Sequence, residues 1–228
     1  MITQKLEALL GVNFKTPKLL ELSLIHASYA AESPQNGLGH NERLEFLGDA
    51  VLELVVSEFL YDQFPGEPEG ILTNWRSILV NAVQLAKVAK DLQLNEFIQL
   101  SRGEAKAEGA LKESILANTF EAVVGALYLD QGYKAAKQFI GRVLLAQLDQ
   151  ILITAHEYNP KGYFQEEAQR RLGITPTYEV LEESGPDHTK HFVIGAYLNT
   201  QLVAKGEGPS KQQAQQDAAK QGILAKKW

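Results

Sequence analysis

Apolar residues recur at three- and four-residue spacing through 40–63, 70–92, 113–130 and 134–150, with shorter runs near 4–10 and 17–26. That is the spacing of helices with one buried face. Turn formers occupy the breaks: Ser33-Pro34-Gln35-Asn36-Gly37, Phe64-Pro65-Gly66 and Gln131-Gly132. Nothing before residue 150 alternates as a strand does, so this part is predicted to be all-α. The pattern then changes. A short helix is predicted over 161–172. Three runs follow, Thr177–Glu183, His191–Leu198 and Gln201–Gly206, rich in Val, Ile, Tyr and Phe with partial alternation. Gly185-Pro186-Asp187 separates the first two, and Asn199-Thr200 forms a tight turn between the others. Ser210 is placed to cap a last helix running toward Trp228. Helix, three strands and helix describe a small α+β domain. The expected organisation is a helical domain over 1–150, a linker over 151–159 and an α+β domain over 160–228.

Composition narrows the setting. The 228 residues are 45% hydrophobic and 22% charged, as in an ordinary globular protein. The absence of cysteine excludes disulfides and thiolate metal sites, and suits a reducing cytoplasm. The start, MITQKLEALLGVNFK, lacks the basic and apolar regions of a secretory signal. No apolar stretch is long enough to span a membrane. A cytoplasmic location away from any membrane is therefore expected. The net charge of −6 argues against a nucleic-acid partner when taken alone. Residues 1–160, however, hold 13 Lys and Arg against 20 Asp and Glu, while residues 161–228 hold 9 against 8. A carboxylate-rich metal site followed by a separate binding module has this balance, and so do many acidic enzymes.

The most informative run is Asn41-Glu42-Arg43-Leu44-Glu45-Phe46-Leu47-Gly48-Asp49-Ala50-Val51-Leu52-Glu53. On a helix, Leu44, Leu47, Val51, Leu54 and Val55 cluster on one side, and Glu42, Glu45, Asp49 and Glu53 gather roughly opposite. Glu45/Asp49 and Asp49/Glu53 are like-charge pairs one turn apart, each destabilising by a few tenths of a kcal/mol. An ordinary solvated face mixes signs. A purely structural role remains open for Glu42 and Glu45, which complement the helix dipole in a first turn. Phe46 falls beside the acidic face and so is expected to meet something other than its own core. Gly48 in mid-helix, at about 1 kcal/mol against Ala, points to close backbone packing. In a second helix, Asn118 and Glu121 share a face at i,i+3. Two helices offering oxygen ligands at one-turn spacing could together bind a hard cation such as Mg²⁺.

Together these residues resemble the ribonuclease III family. Asn41 to Leu52, NERLEFLGDAVL, is similar to the family signature almost letter for letter. His26-Ala27-Ser28-Tyr29, Glu67-Pro68-Glu69-Gly70 and Glu113 to Ala122 (ESILANTFEA) match further family elements. The resemblance implies an all-α nuclease domain of the ribonuclease III fold. It implies metal-binding carboxylates at Glu45, Asp49 and Glu121, acidic residues assisting RNA processing at Glu42 and Glu69, and Phe46 plugging into the partner of a homodimer. Asn118 departs from the Asp usual there. An amide oxygen can still coordinate Mg²⁺, but with one charge fewer the metal optimum is expected at higher Mg²⁺ or toward Mn²⁺. The implied chemistry is phosphodiester hydrolysis in double-stranded RNA by metal-activated water, with no organic cofactor. The implied products carry 5′-phosphates, 3′-hydroxyls and short 3′ overhangs, and the implied substrates are ribosomal precursors and structured messengers.

Residues 160–228 resemble a double-stranded RNA-binding domain of α-β-β-β-α fold, which reads A-form shape rather than base sequence. By that resemblance Gln165, Glu166 and Gln169 face one minor groove, Pro186 and His188 the next, and Gly208, Ser210 and Lys211 the phosphates between. Many such domains place several cations after the Ser; here the run is Ser210-Lys211-Gln212-Gln213-Ala214-Gln215. Fewer phosphate contacts predict a shallower salt dependence, with Lys161, Lys190 and Lys220 the nearby cations able to compensate. Two other readings exist. A double-stranded RNA-binding protein with little cleavage follows if Asn118 disables the site, and a Mg²⁺ titration separates it from the nuclease. An unrelated acidic helical protein requires both pattern matches to be chance.

Overall fold

The computed structural model describes every residue except 1, 34–36, 38, 107–111, 149–158 and 187–189. The chain divides into two compact units, Met1–Ile151 and Leu152–Trp228. The linker expected over 151–159, residues 34–36 of the Ser33–Gly37 turn and the end of the 134–150 run lie wholly or largely outside the described residues.

The first unit is built from α1 (Ile2–Leu10), α2 (Pro17–Ser23), α3 (Ala27–Glu32), α4 (Glu42–Gln63), α5 (Glu69–Leu79), α6 (Ala82–Asp91), α7 (Arg102–Lys106), α8 (Glu113–Gln131) and α9 (Tyr133–Val143). Two short 3-10 turns, Leu94–Glu96 and Leu145–Gln147, complete it. Among the described residues its only strand-like pairing is a bridge between Ile25 and Gln99. Helix α8 is apolar nearly all round: Ile115, Leu116, Phe120, Val123, Val124, Ala126 and Leu127 are all buried. Such a helix must be surrounded, and α2, α4, α6 and α9 pack on it. Helix α4 is one-sided and buries Leu44, Val51, Leu52, Val55, Val56 and Leu60. Its start is pinned by Asn41, only 2% exposed. The Asn41 main-chain N–H donates to Ile25 O at 2.9 Å, and its side-chain amide donates to Ser23 O at 3.3 Å.

Four expectations change in this unit, the first being the helix expected over 134–150, which ends at Val143 and gives way to the Leu145–Gln147 turn. Leu54, assigned to the apolar face of α4, is 57% exposed, because the core side of α4 turns toward Leu52 and Val56. The run 70–92 is two helices. Asn81 interrupts it, its side chain accepting from Gln84 N at 2.9 Å; both helices turn apolar faces inward, so the spacing hides the break. The run 17–26 ends at Ser23, and His26 begins α3 by accepting the Ser28 N–H on its ring at 3.2 Å.

The second unit is α10 (Pro160–Leu172), β1 (Thr177–Ser184), β2 (His191–Leu198), β3 (Gln201–Gly208) and α11 (Lys211–Lys226). The antiparallel sheet runs β1-β2-β3. Central β2 alternates, sending Phe192, Ile194, Ala196 and Leu198 into a core with Phe164 and Ala168 of α10 and Ala214, Ala218 and Ala219 of α11. Alanines on α11 and Gly206 on β3 let helix and sheet approach; a methyl at Gly206 would have the Ala218 Cα at 2.5 Å. The third strand extends two residues past its expected end, to Gly208.

Candidate functional site

Helices α4 and α8 cross through a pair of glycines. A methyl at Gly48 would be driven into the Glu121 carbonyl oxygen, with the Gly125 nitrogen at 2.9 Å. A methyl at Gly125 would strike the Leu44 carbonyl oxygen and sit 3.1 Å from the Gly48 nitrogen. The backbones touch because neither glycine has a side chain. Glu45 and Asp49 flank Gly48 on α4, while Asn118 and Glu121 lie on the α8 turn leading to Gly125. The crossing therefore brings four of the expected residues together.

Their electrostatics follow from that proximity. Burial pushes the Glu121 carboxyl up to about 7, and the charges of Asp49 and Glu45 add to the shift. Glu45 is raised first by burial, then by Glu42 one turn before it and by Asp49, against a hydrogen bond from the Asn118 amide that favours its charged form. Glu42 itself is exposed, with its carboxylate 3.6 Å from His40 Nδ1. Glu69 opens α5 and accepts from Thr73 Oγ1 at 3.0 Å. It takes part in none of the interactions linking the other four. Among the described residues no three acidic or histidine side chains already enclose a cation-sized space; the carboxylates are electrostatic neighbours rather than a closed cage. The donor set nevertheless consists wholly of hard oxygens, which suits a divalent cation such as Mg²⁺. A cation there would offset the Asp49 and Glu45 charges that add to the burial raising Glu121.

Phe46 is 81% exposed on α4 and shares its stripe with Leu54, at 57%, and Tyr61, at 74%. Beside it lies a groove of about 820 Å³ bordered by Leu19, Leu22, Arg43, Leu47 and Leu129. In the second unit Gln165 and Gln169 are exposed on α10, Glu166 is half-buried and Pro186 is exposed. His188 lies outside the described residues. Ser210 caps α11, its Oγ accepting from Gln213 N at 3.2 Å. Gly208 packs under that cap, where a methyl would meet Ala214 N at 2.8 Å. The Lys211 ammonium stands 3.9 Å from the Glu183 carboxylate, which also takes Lys190 at 3.0 Å. Two further residues position the site: Gly125, whose place in mid-helix is the same signal as Gly48, and Asn41, whose buried clamp has no sequence signal beyond its place before the acidic run.

Comparison with known proteins agrees with this division. Residues 16–148 match a family model described as ribonuclease-III-like, and residues 160–225 match the double-stranded RNA binding motif. The chain is 44% identical to the Ribonuclease 3 of Carboxydothermus hydrogenoformans, over 96% of this chain and 93% of that one. It is 43% identical to the Ribonuclease 3 of Bdellovibrio bacteriovorus, over 98% and 95%. Among solved structures, the nuclease domain of ribonuclease III from Campylobacter jejuni, described for structural flexibility in its region involved in dimer formation, superposes with a TM-score of 0.57 at 42% identity. It covers 61% of this chain and 94% of its own.

Proposed function

The chain belongs to the ribonuclease III family and is a double-stranded RNA endoribonuclease, and we propose that its catalytic centre is the α4–α8 crossing. The observation that carries this reading is the meeting of Glu45 and Asp49 with Asn118 and Glu121 around the Gly48–Gly125 contact. These four residues are the ligands, with Mg²⁺ as the metal and Mn²⁺ able to replace it. When bound, the ion lowers the pKa of water and stabilises the charge developing on the phosphate and the leaving 3′ oxygen. The residues themselves supply position. The Asn118 amide, as a donor toward Glu45, opposes the burial and the like charges that raise that carboxyl, leaving its own oxygen available as a ligand. Glu121, raised to about 7 by burial and by Asp49 and Glu45, would be the ligand whose charge a bound cation favours most. Glu42 and Glu69 assist RNA processing.

The functional unit is a homodimer in which exposed Phe46 enters the groove bordered by Leu22, Leu47 and Leu129 on a second copy. Two sites then cut opposite strands, giving 5′-phosphates, 3′-hydroxyls and short 3′ overhangs. The second unit holds the duplex by its shape through Gln165, Glu166, Gln169, Pro186, His188, Ser210 and Lys211. The substrates are ribosomal precursors and structured messengers in the cytoplasm. Among the described residues no helix is long and apolar enough to cross a membrane.

The test is a plain duplex of roughly 30 base pairs, incubated with the protein across Mg²⁺ and Mn²⁺ titrations beside a Glu121→Ala control. Cleavage to short duplexes by the unaltered protein alone is the expected result. Binding without cleavage at any metal concentration would mean that the protein holds duplex RNA and does not process it.

A further inference from the structure

The geometry points to Lys161 as the phosphate contact that the start of α11 does not itself supply, an inference that rests on the second unit's reading as a duplex-binding module. The first two turns of α11 carry one cation, Lys211; Gln212, Gln213, Gln215 and Gln216 fill the surrounding positions. Lys211 and Gln215 lie one turn apart on one face. The Lys161 ammonium reaches this face from α10, donating to Gln215 Oε1 at 2.6 Å. It lies 4.9 Å from the ring centre of Tyr178, and the Lys161 main-chain N–H donates to Gln216 Oε1 at 3.1 Å. Two contacts of the ammonium and one of the main chain thus fix a charge from another helix at Gln215, one turn from Lys211.

That charge is not neutralised. An ammonium has three donors; Gln215 takes one, and among the described residues no carboxylate pairs with Lys161. The neighbouring cations differ. Lys190 and Lys211 converge on Glu183, and Arg170 and Arg171 are both held by Glu167. Lys220, five residues beyond Gln215, stands about 140° away around the helix. Among the described residues Lys161 is therefore a positioned cation with no carboxylate partner, held at Gln215 one turn along α11 from Lys211, and its partner is a backbone phosphate of double-stranded RNA.

The test is the salt dependence of duplex binding by the full chain in EDTA, with a roughly 30-base-pair RNA and KCl varied. Each phosphate neutralised contributes about one unit to the slope of log K against log salt. Lys161→Gln is expected to lower the slope by about one unit, and Lys161→Arg to preserve it. The double variant Lys161→Gln with Gln215→Lys is expected to restore it, since it returns the charge to the same place from α11. An unchanged slope in Lys161→Gln, even with weaker binding, overturns the proposal and makes Lys161 a structural tie between helices. A double variant that keeps the slope of Lys161→Gln overturns it as well. Absence of duplex binding by the unaltered protein at low salt sinks the RNA-binding reading itself. Normal binding with an unchanged Lys161→Gln slope sinks only the phosphate contact.

Discussion

Across the α4–α8 crossing the Asn118 amide acts on the Glu45 carboxylate as a donor that favours its charged form, against the burial and like charges that raise it. An aspartate at 118 could not donate in that way when ionised, and it would add a fourth negative charge. Asn118→Asp is predicted to lower the Mg²⁺ needed for half-maximal cleavage on the order of ten-fold, roughly 1.4 kcal/mol of binding. The same substitution should lower the melting temperature in EDTA, where repulsion has no counter-charge. Cleavage titrations and thermal melts check the two signs. A parent protein inactive at every metal concentration, and rescued by the substitution, would show that Asn118 disables the site rather than tuning it.

The glycine contact gives a second prediction. Gly48→Ala forces a methyl into the Glu121 main chain, and overpacking of this kind destabilises by about 1–3 kcal/mol. Cleavage should fall far more than stability, because Glu45 and Asp49 are displaced from Asn118 and Glu121. Duplex affinity, carried by the second unit, should change less than about three-fold. Melting, cleavage and binding on one preparation separate these effects; normal cleavage by the Gly48→Ala variant would remove the crossing from the mechanism.

Glu121 gives a pH dependence. Its carboxyl is raised to about 7, chiefly by burial, so between the ordinary carboxylate range and 7 the folded protein keeps a proton that the unfolded chain has released. Stability from this group is present at low pH and is lost as pH rises through that window. In metal-free melts from pH 5 to 8, Glu121→Gln should gain on the parent protein as pH rises, and added Mg²⁺ should narrow the gap. Parallel profiles for the two proteins would place the Glu121 proton elsewhere.

Phe46 separates folding from assembly. At 81% exposed, it contributes little to its own core, so Phe46→Ala should leave the melting temperature of the dilute protein within about 2 °C. The proposed dimer should weaken by about 2 kcal/mol, roughly thirty-fold. Sedimentation equilibrium measures this. Unchanged self-association in the variant would move the interface away from α4.

Much of the fold was legible because it is local. The apolar spacing of α4 and α8 and the alternation of β2 follow from helix and strand periods. Ser210 announced its helix by cap chemistry. Failures came where periodicity is blind. Asn81 splits a run whose two halves both face inward, and Leu54 has the spacing of a core residue on a helix whose buried side is set by its neighbours. The candidate site was half legible. Each pair, Glu45/Asp49 and Asn118/Glu121, shows on its own helix as a shared face, while their meeting depends on Gly48 and Gly125, some 77 positions apart.

What the amino-acid sequence determined by itself was the inventory: a helical unit followed by an α+β unit, a run of carboxylates without cations, a misplaced Phe46, and a family resemblance resting on near-identical letters. Those properties reside in single elements, whose hydrogen bonds and periods are closed within a few residues. The tertiary structure decided which elements touch. It set the Glu121 carboxyl near 7 by burying it against Asp49 and Glu45. It tied Asn118 to Glu45, and it delivered the Lys161 ammonium to Gln215 from a helix 54 residues away. Desolvation and charge–charge coupling depend on distance through space, and distance through space is fixed only once the apolar faces have packed.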